Sequence, residues 1–170
     1  MEIHQKPKVA VIMGSDSDLP VLKPCIKILR DFAVETEVFV CSAHRTPEKA
    51  AEIARNAEQN GIGVIIAAAG KAAHLPGVIA AYTPLPVIGL PVKSSTMDGL
   101  DSLLSIVQMP AGIPVATVAI DGSENAALLA VQILSTGFPE LRQKMKQYKQ
   151  SLAAKVEEKN RLLQEKLEEI

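Results

Sequence analysis

The sequence predicts an α/β fold, a three-layer sandwich on a parallel sheet, and three observations carry that prediction. Five apolar runs of strand length are spread along the chain, and helical patterns separate the first three. Hydrophobic residues make up 48% of the 170 positions, yet aromatics are only 3% and Trp is absent, so the core has to be built from Ala, Val, Ile and Leu. A βαβαβ alternation implies right-handed parallel crossovers. Strands that are apolar on both faces suit a sheet covered by helices on both sides.

The first strand is read at Val9–Met13. A helix follows over Asp18–Phe32, with Asp18 as its cap and Pro20 in its first turn. Pro24 fits less well, because a proline inside a helix costs ~3 kcal/mol unless the helix start is irregular. The second strand is Glu37–Val40, and Thr46-Pro47 opens the next helix with a cap and an N1 proline. That helix runs to Asn60, and Gly61 closes it. Strands at Val64–Ala68, Pro86–Leu90 and Pro114–Val118 alternate with helices at Leu75–Tyr82, Leu100–Gln108 and Ser123–Ser135. The expected arrangement is of flavodoxin-like type.

From Pro139 onward Lys, Glu and Gln dominate, with Leu141, Met145, Tyr148, Leu152, Val156, Leu163 and Leu167 at near-helical spacing. This narrow stripe predicts an amphipathic helix or helix pair. The chain therefore divides into a catalytic domain, 1–137, and a C-terminal helical arm, 138–170. The arm packs on its own domain or reaches across to a neighbouring subunit, and the sequence leaves both open.

A net charge of -1 supplies no field for nucleic acid or an anionic membrane. The polar opening Met1–Lys8 has no signal core, and no apolar run approaches the ~18 residues of a membrane span, so a cytoplasmic protein is expected. Cys25 and Cys41 read as reduced core thiols. No GxxxxGK[ST], HExxH or GxSxG string is present, and His4, His44 and His74 show no metal spacing.

Chemistry gathers in three loops that each follow an apolar run. Gly14-Ser15-Asp16-Ser17-Asp18 supplies a turn, two hydroxyls and backbone N–H groups at a helix start, a ready phosphate site. The Asp18 carboxylate suits a ribose diol. Ser42-Ala43-His44-Arg45 adds a guanidinium and an imidazole that can give and take a proton near neutral pH. An Arg at a helix start meets an already positive end, which favours an anion as its partner. The third loop, Gly70-Lys71-Ala72-Ala73-His74-Leu75-Pro76-Gly77 after the apolar run that ends at Ala69, is small enough for backbone to approach a ligand. Each segment alone is also an ordinary turn. Their joint emergence at the carboxyl edge of one sheet is what predicts a pocket.

Together these strings, with Asp101-Ser102-Leu103-Leu104-Ser105-Ile106-Val107-Gln108-Met109-Pro110 and Gly112-Ile113-Pro114-Val115-Ala116-Thr117, resemble the N5-carboxyaminoimidazole ribonucleotide mutases of bacterial purine biosynthesis. The resemblance covers about Val9 to Leu134. It implies a flavodoxin-like subunit of a homo-octamer, with no metal or organic cofactor, that moves a carboxylate from N5 to C4 of aminoimidazole ribonucleotide. It further implies Ser15, Ser17 and Arg45 at the phosphate, Asp18 at the ribose and His44 as proton carrier, with Gly14, Ser42, Ala69, Gly70, Lys71, His74 and Leu75 completing the substrate site. The family pattern reads Ala-Gly-Ala-Gly-Gly where this chain has Ala67-Ala68-Ala69-Gly70-Lys71, so two glycines are replaced. A positive φ at position 71 would strain a lysine. Direct carboxylation with free CO2 is the neighbouring chemistry, but the Gly-Arg-Ser-Asn string expected for it is absent. A non-catalytic phosphoribosyl-binding oligomer is the third reading, and it has no evident need for His44.

Overall fold

The computed structural model describes residues 6–168; the opening Met1–Gln5, which belongs to the polar start read above, and the last two residues lie outside them. Five parallel strands form one sheet: β1 Lys8–Met13, β2 Glu35–Val40, β3 Val64–Gly70, β4 Val87–Val92 and β5 Ala116–Thr117, in the order β2-β1-β3-β4-β5. The helices are α1 Leu19–Asp31, α2 Pro47–Asn56, α3 Leu75–Tyr82, α4 Leu100–Val107, α5 Ser123–Leu134 and α6 Pro139–Glu168. This is the flavodoxin-like α/β arrangement expected from the alternation of apolar runs.

The strand pleat sorts the core into two layers. Val9, Val11, Met13, Val64, Ile66, Ala68, Ile88 and Leu90 face α1, α5 and the start of α6. Ala10, Ile12, Ile65, Ala67 and Ala69 face α2, α3 and α4. On edge strand β2, Glu37 and Glu35 reach Lys8 Nζ at 2.5 and 3.5 Å, tying β2 to the β1 end where the parallel register starts.

Several local expectations are corrected. Asp18 makes no side-chain cap bond to α1, because a 3-10 turn at Asp16–Asp18 precedes the helix and leaves Asp18 with helical backbone. Ser15, extended at φ -150°, caps that turn instead by accepting from Ser17 N–H. Pro24 sits inside α1 as feared. The carbonyl it orphans belongs to Pro20, which is exposed and open to solvent. Thr46 is the last residue before α2 but does not cap it: its hydroxyl accepts from Ser42 N–H and donates to Ser42 carbonyl oxygen, 3.0 Å each. Beyond α2 the chain turns through Gly61 at φ 75°, where left-handed backbone suits glycine. The fifth strand shrinks to two residues, since the chain at Pro114–Val118 pairs with β4 only at Ala116 and Thr117.

The C-terminal pattern forms one helix rather than a pair. Leu141 and Met145 are buried and Tyr148 packs against the same core, whereas every described residue from Lys149 to Glu168 is exposed. Core packing thus runs to Tyr148, ten residues past the sequence boundary at 138. No helix among the described residues is long and apolar enough to cross a membrane.

Candidate active site

Strand order reverses between β1 and β3, and at such a switch point the loops at the carboxyl edge diverge and leave a crevice. A cavity of about 640 Å³ opens there, lined by the loops after β1, β2, β3 and β4. Its wall contains every residue singled out from the sequence: Gly14, Ser15, Ser17, Asp18, Ser42, His44, Arg45, Ala69, Gly70, Lys71, His74 and Leu75. The size suits a small ligand such as a nucleotide.

On the β1 side, Ser17 Oγ donates to Ser15 Oγ at 2.9 Å, so the two hydroxyls stand together at the rim. The backbone N–H groups expected to be free are partly spent: Ser17 N–H bonds Ser15 Oγ and Asp18 N–H bonds Ser15 carbonyl. Charged donation to an anion has to come from the neighbouring loop after β2. The Arg45 guanidinium supplies it, held by Nε on Ser42 Oγ (3.4 Å) and by Nη2 on Gly14 carbonyl (3.3 Å). Arg45 has no ion-pair partner among the described residues, which keeps the missing anion predicted from its helix-start position.

Asp18 is half-buried in the same wall, and burial raises its carboxyl above the usual carboxylate range; Asp121 and Asp16 push the same way, while bonding from the Ser15 backbone and the Ser17 hydroxyl opposes it. Such a carboxylate gains from hydroxyl donors. Cys25, on the buried face of α1, is pushed up to about 12 by desolvation and stays a thiol.

The loops after β2 and β3 meet through their histidines. His44 Nε2 lies 2.9 Å from His74 Nδ1, so one ring N–H donates a hydrogen bond to the other ring nitrogen and the pair fixes a mutual orientation. His74 immediately precedes α3 and makes no side-chain cap bond, because its ring is turned to His44. The adjoining wall is made of small or apolar residues, Ala69 and Leu75 buried and Ala72 exposed. Lys71 has φ 56°, the left-handed value that strains a residue bearing a Cβ.

The loop after β4 was missed from the sequence, although Val92, Lys93, Ser94 and Ser95 line the cavity. The signal was present: Pro91-Val92-Lys93-Ser94-Ser95 ends a strand in polar residues as the other loops do. Ser94 Oγ is within 2.8 and 2.9 Å of the two Asp101 carboxylate oxygens, and Ser102 Oγ donates to Val92 carbonyl at 2.9 Å, so α4 holds this loop in place. Among the described residues no group of three or more His, Cys, Asp or Glu is placed to hold a metal ion.

Comparison with known proteins decides the family. The AIR carboxylase family profile matches residues 8–155, most of the chain. The chain belongs to the AIR carboxylase family. Family members similar to it include an N5-carboxyaminoimidazole ribonucleotide mutase of Pyrococcus horikoshii, 60% identical over 95% of this chain and 91% of that protein. Another is the mutase of Thermotoga maritima, 56% identical over 94% and 93%. A crystal structure of Treponema denticola PurE superposes with a TM-score of 0.83 at 30% identity, covering 90% of this chain and 96% of that one.

Proposed function

We infer that this enzyme is a mutase acting on N5-carboxyaminoimidazole ribonucleotide, giving the 4-carboxy isomer in de novo purine biosynthesis. The observation that carries the reading is the His44–His74 pair, 2.9 Å apart in a cavity that has hydroxyls and a guanidinium at another part of its wall. That layout provides a phosphate end and a proton-transfer end.

Ser15, Ser17 and Arg45 take the phosphate and Asp18 accepts from the ribose hydroxyls. His44 protonates N5; the N5–carboxylate bond breaks, CO2 departs, and the electron pair stays on nitrogen. The electron-rich C4 attacks the retained CO2, and His44 recovers a proton from C4. Proton and carboxylate balance, so one imidazole serves both steps. The wall of Ala69, Gly70 and Leu75 confines CO2 and excludes water. His74 orients the His44 ring.

Product formation from the N5-carboxylated nucleotide, compared with formation from aminoimidazole ribonucleotide plus bicarbonate, tests the reading. Fast turnover is expected only with the first; fast turnover only with the second makes the enzyme a direct carboxylase. His44→Asn should bind nucleotide and lose turnover by about 10²- to 10⁴-fold. Wild-type turnover in that variant removes His44 from the mechanism.

The enzyme is further proposed to be a cytoplasmic homo-octamer. The exposed stripe Leu152, Val156, Leu163 and Leu167 on α6, which its own domain does not cover, supports an arm that meets a neighbouring subunit.

A further inference from the structure

Lys71 is the cavity residue whose backbone works against its own side chain. At φ 56° its Cβ is crowded, and a strained non-glycine residue persists only where its surroundings hold it there. They do: Gly70 is registered against Val92 at the end of β3, Ala73 is fully buried, and His74 N–H bonds Ala72 carbonyl at 2.8 Å. Strain retained in a cavity wall points to a use for the side chain.

The charges of the cavity show what that use is. Among the described residues Asp18 is the only carboxylate in the wall, and it belongs to the β1 loop. Lys93 is paired with Asp98 at 3.2 Å, and Arg45 is bound to Ser42 and Gly14. Lys71 has neither an ion pair nor a side-chain hydrogen bond among the described residues, and it shares the β3–α3 loop with His74. Two of the cavity's positive charges thus have no ion-pair partner among the described residues, Arg45 on the β2 loop and Lys71 on the β3 loop, with the two histidines joining those loops. The mutase substrate likewise carries two separate anionic groups.

We propose that the Lys71 ammonium is the counter-ion of the migrating carboxylate and sets the preference of this site for carboxylated over uncarboxylated aminoimidazole ribonucleotide. The assignment rests on the mutase reading. The carboxylate is present in substrate and product but absent from the aminoimidazole formed between them. Lys71 therefore binds both ends of the reaction, and its contribution is to affinity more than to rate.

The test is calorimetric titration of wild type, Lys71→Gly and Lys71→Gln with 4-carboxy-5-aminoimidazole ribonucleotide and with 5-aminoimidazole ribonucleotide. Lys71→Gly relieves the backbone and Lys71→Gln keeps the Cβ, so together they separate charge from strain. Both variants should bind the carboxylated nucleotide about tenfold more weakly and the uncarboxylated one within about twofold of wild type. Added salt should erode the preference in wild type and not in Lys71→Gln. KM for the N5-carboxylated substrate should rise by a larger factor than kcat falls. An unchanged preference in either variant, or equal weakening of both nucleotides, overturns the assignment while leaving the mutase reading standing. A wild-type protein that binds neither nucleotide overturns both.

Discussion

Gly89→Ala tests how the sheet supports the site from below. Gly89 lies in β4 opposite Ala67, where α4 crosses closely. A Cβ added there would overlap Ile106 Cγ2 and stand 2.9 Å from Val115 Cγ1, with Pro76 Cβ at 3.4 Å. Ile106 is fully buried, so α4 has to shift to admit the methyl group. Overpacking of this kind costs about 1–3 kcal/mol. For a domain of this size that lowers Tm by roughly 2–12 °C, measured at fixed protein concentration because assembly adds to apparent stability. The shift also reaches the cavity, because Asp101 and Ser102 on α4 hold Ser94 and Val92. KM should rise by a larger factor than kcat falls. Gly112→Ala is the control: nothing lies within 4 Å of its Cβ, but φ is 96°, so it should cost about 1 kcal/mol of strain and leave KM alone. A Gly89→Ala protein within about 1 °C of wild type and with an unchanged KM would refute the coupling of β4 packing to the loop.

Two further predictions concern Asp18 and the C-terminal helix. Burial raises the Asp18 carboxyl in the folded state, so folding favours its protonated form: its contribution to stability is greatest at low pH and is lost as pH rises from the ordinary carboxylate value through the raised one. Ribose hydroxyls need the carboxylate, so kcat/KM should fall on the acid side as pH drops through that raised value; Asp18→Asn should raise KM and abolish this limb, and a limb that survives belongs to another group. Truncation after Lys149 removes only exposed residues of α6 and spares Leu141 and Met145, so it should reduce the oligomer size seen by light scattering; an unchanged size would show that the exposed stripe makes no contact between subunits.

The fold was legible because each signal had one cause. Apolar runs such as Val64–Ala69 are buried on both faces, and only a parallel sheet between helix layers gives them that environment. Leu75–Tyr82 was read to the residue, since Pro76 marks its first turn and Thr83-Pro84 ends it. Strand β5 is shorter than the apolar run suggests because only Ala116 and Thr117 pair with β4, with a bond from Val118 N–H to Gly89 carbonyl at 3.1 Å closing the ladder. The β4 loop was overlooked because Lys93 and Ser94 resemble surface residues in sequence; only the fold shows Ser94 buried against Asp101.

The errors at the helix caps have a common physical origin. Asp18, Thr46 and His74 stand immediately before α1, α2 and α3, and none makes a side-chain bond to the helix it precedes. Asp18 stays in the cavity wall, Thr46 is spent on the Ser42 backbone that carries His44 and Arg45, and His74 is turned to His44. The starts of all three helices therefore go without a side-chain cap, which costs stability in the free protein. Sequence rules assume that an Asp or Thr before a helix serves that helix, and at this edge of the sheet the same side chains serve the cavity. Where cap residues fail to cap on several adjacent helices at once, the failure itself marks the binding site.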